Sequence, residues 1–166
     1  GDVMPSRIEA EERLAAVVNE TLNRGGKVLI PVPAVGRAQE IMLILDGYMK
    51  RGLIKEAPIF IEGMISEATA IHTAYPEYLG REVRNSILHD GVNPFQSDYF
   101  TIVEHPNVRQ EIIDGEPSII MATSGMLEGG PVIEYFKSLA DNENNAAIFV
   151  SYQIEGTLGR RVQKGL

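Results

Sequence analysis

The sequence predicts an α/β fold: a three-layer, mainly parallel, Rossmann-like sheet with helices on both faces. Three observations predict it. Short continuous apolar runs (Lys27-Val-Leu-Ile-Pro31, Pro58-Ile-Phe-Ile61, Ser118-Ile-Ile-Met-Ala122 and Ala146-Ala-Ile-Phe-Val150) read as strands covered on both sides. Segments of helical period separate these runs, as crossovers between parallel strands require. Glycine and hydroxyl residues gather at three junctions between a run and the helix that follows it.

Taken in order, Ser6-Arg-Ile-Glu9 has the capping-box pattern, in which hydroxyl and carboxylate each satisfy a free helix N–H. Ile8, Ala15, Val18 and Leu22 continue at helical spacing until Gly25-Gly26 ends the helix. After strand 27–31, the turn Val32-Pro-Ala-Val-Gly36 leads into a helix with Ile41, Ile44, Leu45 and Tyr48 on one face, stopped by Gly52. Strand 58–61 precedes a helix expected over Ser66 to Leu79. The mixed stretch from Arg84 to Phe95 predicts only a short helix at 85–89. Tyr99-Phe-Thr-Ile-Val103 predicts a strand, and Pro106 to Asp114 a short helix with proline in its tolerated first position. Strand 118–122, helix 131–139, strand 146–150 and a last helix from about Thr157 complete the order. No internal repeat, low-complexity tract or linker interrupts it, so residues 1–166 are expected to form a single domain.

Bulk properties narrow the function classes. A chain of 166 residues with 44% hydrophobic and 23% charged residues has the makings of one soluble core. There is no Trp, so aliphatic packing must carry the interior. No apolar run approaches the roughly 18 residues that span a bilayer, and the N-terminus has no signal-like pattern. The absence of Cys excludes disulfides and thiolate zinc sites and fits a cytoplasmic chain. A net charge of −8 argues against nonspecific nucleic-acid binding over the whole surface. Any such contact must be local, and Arg37, Arg160, Arg161 and Lys164 flank the junctions where it could occur.

Ligands of open parallel sheets bind beyond the carboxyl ends of the strands. Three junctions there have suitable residues. Pro31-Val-Pro-Ala-Val-Gly-Arg-Ala-Gln-Glu40 places Gly36 at the turn and Arg37 in the first helical turn. Met121-Ala-Thr-Ser-Gly-Met-Leu-Glu-Gly-Gly-Pro131 holds Thr123, Ser124 and Gly125 between strand and helix. Ser151-Tyr-Gln-Ile-Glu-Gly-Thr-Leu-Gly-Arg160 carries Tyr152 and Arg160. Backbone N–H groups and hydroxyls at such turns suit an anion, most naturally a phosphate. Glycines that relieve strain and hydroxyls that cap helices give the alternative, structural reading of each junction.

Neither Gly-x-Gly-x-x-Gly nor Gly-x-x-x-x-Gly-Lys-Ser/Thr occurs. His72, His89 and His105 lack the spacing that presents two metal ligands together. Ala122 stands where a Gly-x-Ser-x-Gly nucleophile elbow needs glycine. The residues alone supply no catalytic apparatus.

Five segments in order resemble the β-CASP domain of metallo-β-lactamase-type ribonucleases, above all the archaeal relatives of the cleavage and polyadenylation specificity factor nuclease. They are Ser6-Arg-Ile-Glu-Ala-Glu-Glu12, Val32-Pro-Ala-Val-Gly-Arg-Ala-Gln-Glu40, Ile71-His-Thr-Ala-Tyr-Pro-Glu-Tyr-Leu79, Met121 to Pro131 and Tyr152-Gln-Ile-Glu-Gly-Thr-Leu-Gly-Arg160. Pro33 departs from the aromatic residue that relatives often carry there.

The resemblance implies a domain inserted in a metallo-β-lactamase domain, covering its active-site cleft. Two zinc ions would be held by that other domain of the full-length enzyme and none by this stretch, which lacks the His-x-His-x-Asp-His motif. The activity implied is endonuclease and 5′-3′ exonuclease hydrolysis of RNA phosphodiesters, in 3′-end processing or decay. This segment alone is expected to be inactive, as if cut out between the family's acidic motif and its first distal histidine. RNA and the metallo-β-lactamase domain are the partners implied, with a homodimer of the full-length protein a further one. Thr123, Ser124 and Gly125 would hold the phosphate, with Gly36, Arg37, Tyr152 and Arg160 around them. An inserted domain would also bring residues 1–6 and 160–166 close together. A stand-alone Rossmann-like nucleotide-binding module and a structural or dimerising module are the alternatives.

Overall fold

The computed structural model describes residues 7–75 and 80–150. Five strands, β1 (Val28–Pro31), β2 (Ile59–Glu62), β3 (Phe100–Ile102), β4 (Ile119–Ala122) and β5 (Ala146–Ala147), form one parallel sheet in the order β3-β2-β4-β1-β5. Around it lie α1 (Arg7–Asn23), α2 (Arg37–Lys50), α3 (Ile65–Ala74), α4 (Arg81–Leu88), α5 (Arg109–Asp114) and α6 (Pro131–Leu139).

The alternation of side chains along each strand divides the core in two. Val28, Ile30, Ile59, Ile61, Ile119 and Met121 point to one face and meet α1 and α2 through Leu14, Val18, Leu22, Ile41 and Leu45. Leu29, Ile120 and Ala122 point to the other and meet Ile112 of α5 and Val132, Tyr135 and Leu139 of α6. Strands β1 and β4 are therefore apolar at every position, which is why they read as continuous runs. The three-layer α/β fold expected from the sequence is the fold observed. Aliphatic side chains carry the interior, with Tyr48, Phe95 and Tyr135 its buried aromatics.

Some elements differ from the sequence expectation. Helix α3 ends at Ala74 with Tyr75 as its cap rather than running to Leu79, and residues 76–79 lie outside the described residues. Helix α4 starts at Arg81 rather than near Asn85; its few apolar residues, Val83, Ile87 and Leu88, lie on one side, and none is fully buried. The helix expected from Pro106 is a 3-10 turn, Pro106–Val108, before α5. The strand expected over 146–150 pairs regularly at Ala146–Ala147, and the Ile148 N–H still donates to the Leu29 carbonyl at 2.8 Å. The Ser6 half of the capping box, the proximity of the two chain ends and the last helix all fall outside the described residues.

Register decides what the sheet offers a ligand. Pro31 of β1 and Glu62 of β2 both stand level with Ala122 of β4, so three strands end together and their loops emerge side by side. The chain leaves β1 and β2 for helices on the first face and leaves β4 for α6 on the second. Adjacent strands whose outgoing helices diverge open a crevice between their loops.

Candidate functional site

The loop from β1 to α2 is held from within. Gly36 has φ 88° and ψ −81°, and the Arg37 N–H donates back to the Val35 carbonyl at 3.2 Å, closing a γ-turn around it. The Gly36 N–H donates to Oε1 of Gln39 at 2.7 Å. Gln39 is buried, and its Nε2 donates to the Ala34 carbonyl at 3.0 Å and to Oγ1 of Thr69 at 2.9 Å. One side chain thus ties the turn to α2 and to α3. Sequence reasoning passed over Gln39, although a glutamine three residues into a helix is half of a capping box.

Arg37 is equally engaged. Its guanidinium donates to Oε1 of Glu40 at 2.8 Å, while Arg7 donates to Oε2 of the same carboxylate at 2.9 Å. The Arg37 Nε is buried and has no partner among the described residues.

The loop from β4 to α6 is built differently. Its ends are pinned: the Ser124 N–H donates to the Gly129 carbonyl at 3.1 Å, and the Glu128 N–H donates to Oγ of Ser124 at 3.2 Å. The Leu127 N–H reaches back to the Ser124 carbonyl at 3.5 Å, so Gly125 and Met126 are the central residues of a turn. Central N–H groups take no part in closing such a turn. Those of Gly125 and Met126 find no acceptor among the described residues. The open donors therefore belong to the turn and not to the start of α6. There Pro131 has no N–H, and Val132 and Ile133 donate to the carbonyls of Thr123 (2.9 Å) and Gly130 (3.3 Å).

The two loops touch. A Cβ on Gly125 would lie 3.0 Å from Cδ of Pro33. Between them lies a cleft of about 780 Å³ lined by Gly36, Arg37, Glu40, Ser124, Gly125 and Glu128, with Pro33, Val35, Met126 and Val150 as its apolar wall. Of the residues singled out from sequence, Gly36, Arg37, Ser124 and Gly125 come together here. Thr123 does not line the cleft; its side chain packs against Gly63, where a Cβ would fall 2.2 Å from Oγ1. Tyr152 and Arg160 lie outside the described residues.

At the carboxyl end of β2 is a buried polar cluster that sequence reasoning missed. Glu62, the last residue of β2, accepts from Nε and a terminal nitrogen of Arg109 and, at 2.7 Å, from the Tyr135 hydroxyl. Arg109 also stacks over the Tyr135 ring, 5.9 Å from its centroid. Hydrogen bonding to Glu62 raises the Arg109 pKa against the opposing effect of burial. Burial, with Glu62 adding to it, holds the Tyr135 phenol far above its usual range. The cluster fastens α5 and α6 to β2 at the sheet's carboxyl end. An acid closing the apolar run Ile59-Phe-Ile-Glu62 was the available signal.

No metal chemistry assembles from these side chains. Among the described residues, no group of three or more His, Cys, Asp or Glu is placed to hold a metal ion. His72 contacts the Ala68 carbonyl within its own helix at 2.9 Å, His89 caps α4 and His105 precedes the Pro106 turn. Nor is any described helix long and apolar enough to cross a membrane.

Comparison with known proteins places this architecture. A profile of the Beta-Casp domain matches residues 38–162. The chain is 61% identical over 165 residues to the transcription termination factor FttA of Cenarchaeum symbiosum, covering 99% of this chain and 26% of that protein. It is likewise 61% identical over 166 residues to FttA of Thermococcus kodakarensis (99% and 26%) and 57% identical over 164 residues to FttA of Methanothermobacter thermautotrophicus (99% and 26%). The chain thus spans about a quarter of the length of the curated relatives it matches. With a matched segment running from α2 beyond β5, this chain belongs to the Beta-Casp domain family.

Proposed function

We propose that this chain is the RNA-gripping domain of a zinc-dependent ribonuclease, one that hydrolyses phosphodiesters in RNA 3′-end processing or decay. One observation carries the reading. Two strand–helix junctions, far apart in sequence, converge on a single cleft where open backbone donors stand beside it. In this reading the N–H groups of Gly125 and Met126 orient a phosphate of the RNA, and the Ser124 hydroxyl fixes their direction by holding the Glu128 amide. Arg37, paired with Glu40, shapes the same rim without offering a free charge. Curated relatives are named as transcription termination factors, which puts nascent RNA within reach of the same reading.

Zinc ions would be held by the rest of a longer protein and would supply the activation of water. In this reading the task of this chain's own side chains is to bind and orient the strand. The reading is tested by substituting Ser124→Ala in the full-length protein and measuring RNA affinity and turnover. Weaker binding, with a fall in turnover, is expected. Unchanged affinity and turnover would leave the loops with a purely structural role.

A further inference from the structure

We infer that the cleft seats one unstacked nucleobase of the bound strand, while the phosphate stays outside on the Gly125 and Met126 amides. This rests on the RNA-gripping reading above and names what enters the cleft.

Charge gives the first reason. The lining carries one cation, Arg37, already paired with Glu40, and a second carboxylate, Glu128, that has no ion-pair partner among the described residues. Arg7 also holds Glu40 from outside the lining, so a phosphate drawn inside would be repelled by Glu128 with no cation among the described lining residues free to offset it. A neutral ring would not be repelled.

The wall gives the second. Met126 is 73% exposed and Val35 is 64% exposed, two large apolar side chains left in water on opposite sides of one cleft, with Pro33 between the loops. Exposed apolar surface collected around a groove marks a binding site rather than random scatter. The thioether of Met126 suits the face of an aromatic ring.

Size and partition of chemistry give the third. A volume of about 780 Å³ is far more than a phosphate needs and falls in the range of pockets that bury small organic ligands. Open donors sit on the turn and the apolar groups face the cleft, which matches the two ends of a nucleotide. Because Arg37 and Glu40 engage each other, the wall offers a ring face and no set of paired donors and acceptors. The grip is therefore tolerant of base identity and dependent on a base being present.

The test uses the full-length protein under conditions that suppress cleavage, with short single-stranded RNAs that are intact or carry one abasic ribose at each position in turn. Met126→Ala and Val35→Ser change exposed side chains and leave the core untouched. Anisotropy titrations should show these variants binding intact RNA roughly ten-fold more weakly, and the RNA abasic at the seated position no more weakly than wild type does. Equal weakening on intact and every abasic RNA would overturn the inference, since the side chains would then serve the backbone or another part of the protein. No weakening on intact RNA would overturn it as well. Ser124→Ala separates the two readings: if it weakens RNA while Met126→Ala and Val35→Ser do not, the base pocket fails alone, and if none of them acts, the RNA-gripping reading fails with it.

Discussion

The β1–α2 and β4–α6 loops share one plan, a buried strand, a glycine turn and a helix, yet the Gly36 amide is satisfied within its loop and the Gly125 amide is not. In the first, the Gly36 N–H, the Arg37 N–H and a terminal nitrogen of Arg37 have partners inside the loop or on α2, while the Ala34 and Val35 N–H groups and the buried Arg37 Nε have none among the described residues. In the second, hydrogen bonds gather at Ser124 and Gly129 and leave the tip at Gly125 and Met126 open. Gln39 is a buried anchor within the first loop, whereas the Glu62–Arg109–Tyr135 cluster anchors α6, the helix the second loop enters. A strand–glycine–helix junction is therefore not in itself a ligand site. What separates scaffold from site is which donors remain after the loop has closed on itself.

The largest effect should come from the second anchor, the cluster that holds α6 to β2. Glu62→Ala leaves the Arg109 charge and the Tyr135 hydroxyl without their shared partner, and a loss of about 3 kcal/mol is expected in chemical denaturation. The glycine turns sharpen the contrast. Gly36 and Gly130 both have positive φ, 88° and 80°. A Cβ at Gly36 meets nothing within 4 Å, whereas one at Gly130 falls 2.7 Å from the Thr123 carbonyl oxygen. Gly36→Ala should cost about 1–2 kcal/mol from backbone strain alone, and Gly130→Ala about 1 kcal/mol more, read from their unfolding midpoints. Equal costs would show that the second loop has room the packing does not suggest. Gln39→Ala should remove about 2 kcal/mol by orphaning the groups it joins, and proteolysis should then open the first loop before the second.

Alkaline titration addresses the second anchor by another route. The Tyr135 pKa is raised in the folded state, so folding binds this proton more tightly than the unfolded chain does. Its contribution to stability is complete below the unfolded value of about 10 and is lost as pH rises beyond it. Lys27, whose pKa burial lowers, has the opposite slope just below its own unfolded value. Tyr135→Phe should therefore flatten the fall in stability above pH ~10. A fall that persists undiminished would locate the linkage elsewhere. Smallest of all should be Arg37→Ala, a loss below about 1 kcal/mol, because Glu40 is partly exposed and keeps Arg7 as a partner.

The sheet was legible because β1 and β4 are buried on both faces and so carry unbroken apolar runs. Strand β5 was overextended in prediction because Ile148, Phe149 and Val150 continue the apolar run past the regular pairing. Helix α4 was half missed because Val83, Ile87 and Leu88, although on one side of the helix, are few among Arg81, Glu82, Arg84, Asn85 and Ser86. At the site, glycine and hydroxyl chemistry pointed to the right loops. It could not tell that Arg37 is neutralised by Glu40, that Thr123 turns to Gly63 or that Gln39 closes the first turn. Those facts depend on side-chain direction across elements, which spacing along one element does not encode. The Glu62–Arg109–Tyr135 cluster joins residues 47 and 73 positions apart, and only the folded arrangement brings them together.

The most direct measurement is an amide NMR titration of the full-length protein, labelled at glycine and methionine, with a short single-stranded RNA. The Gly125 and Met126 signals should move most, because their N–H groups are free to meet the strand, while the Gly36 signal should stay near its place beneath Gln39. A large shift at Gly36 with Gly125 and Met126 unmoved would contradict the division between a satisfied glycine turn and an open one.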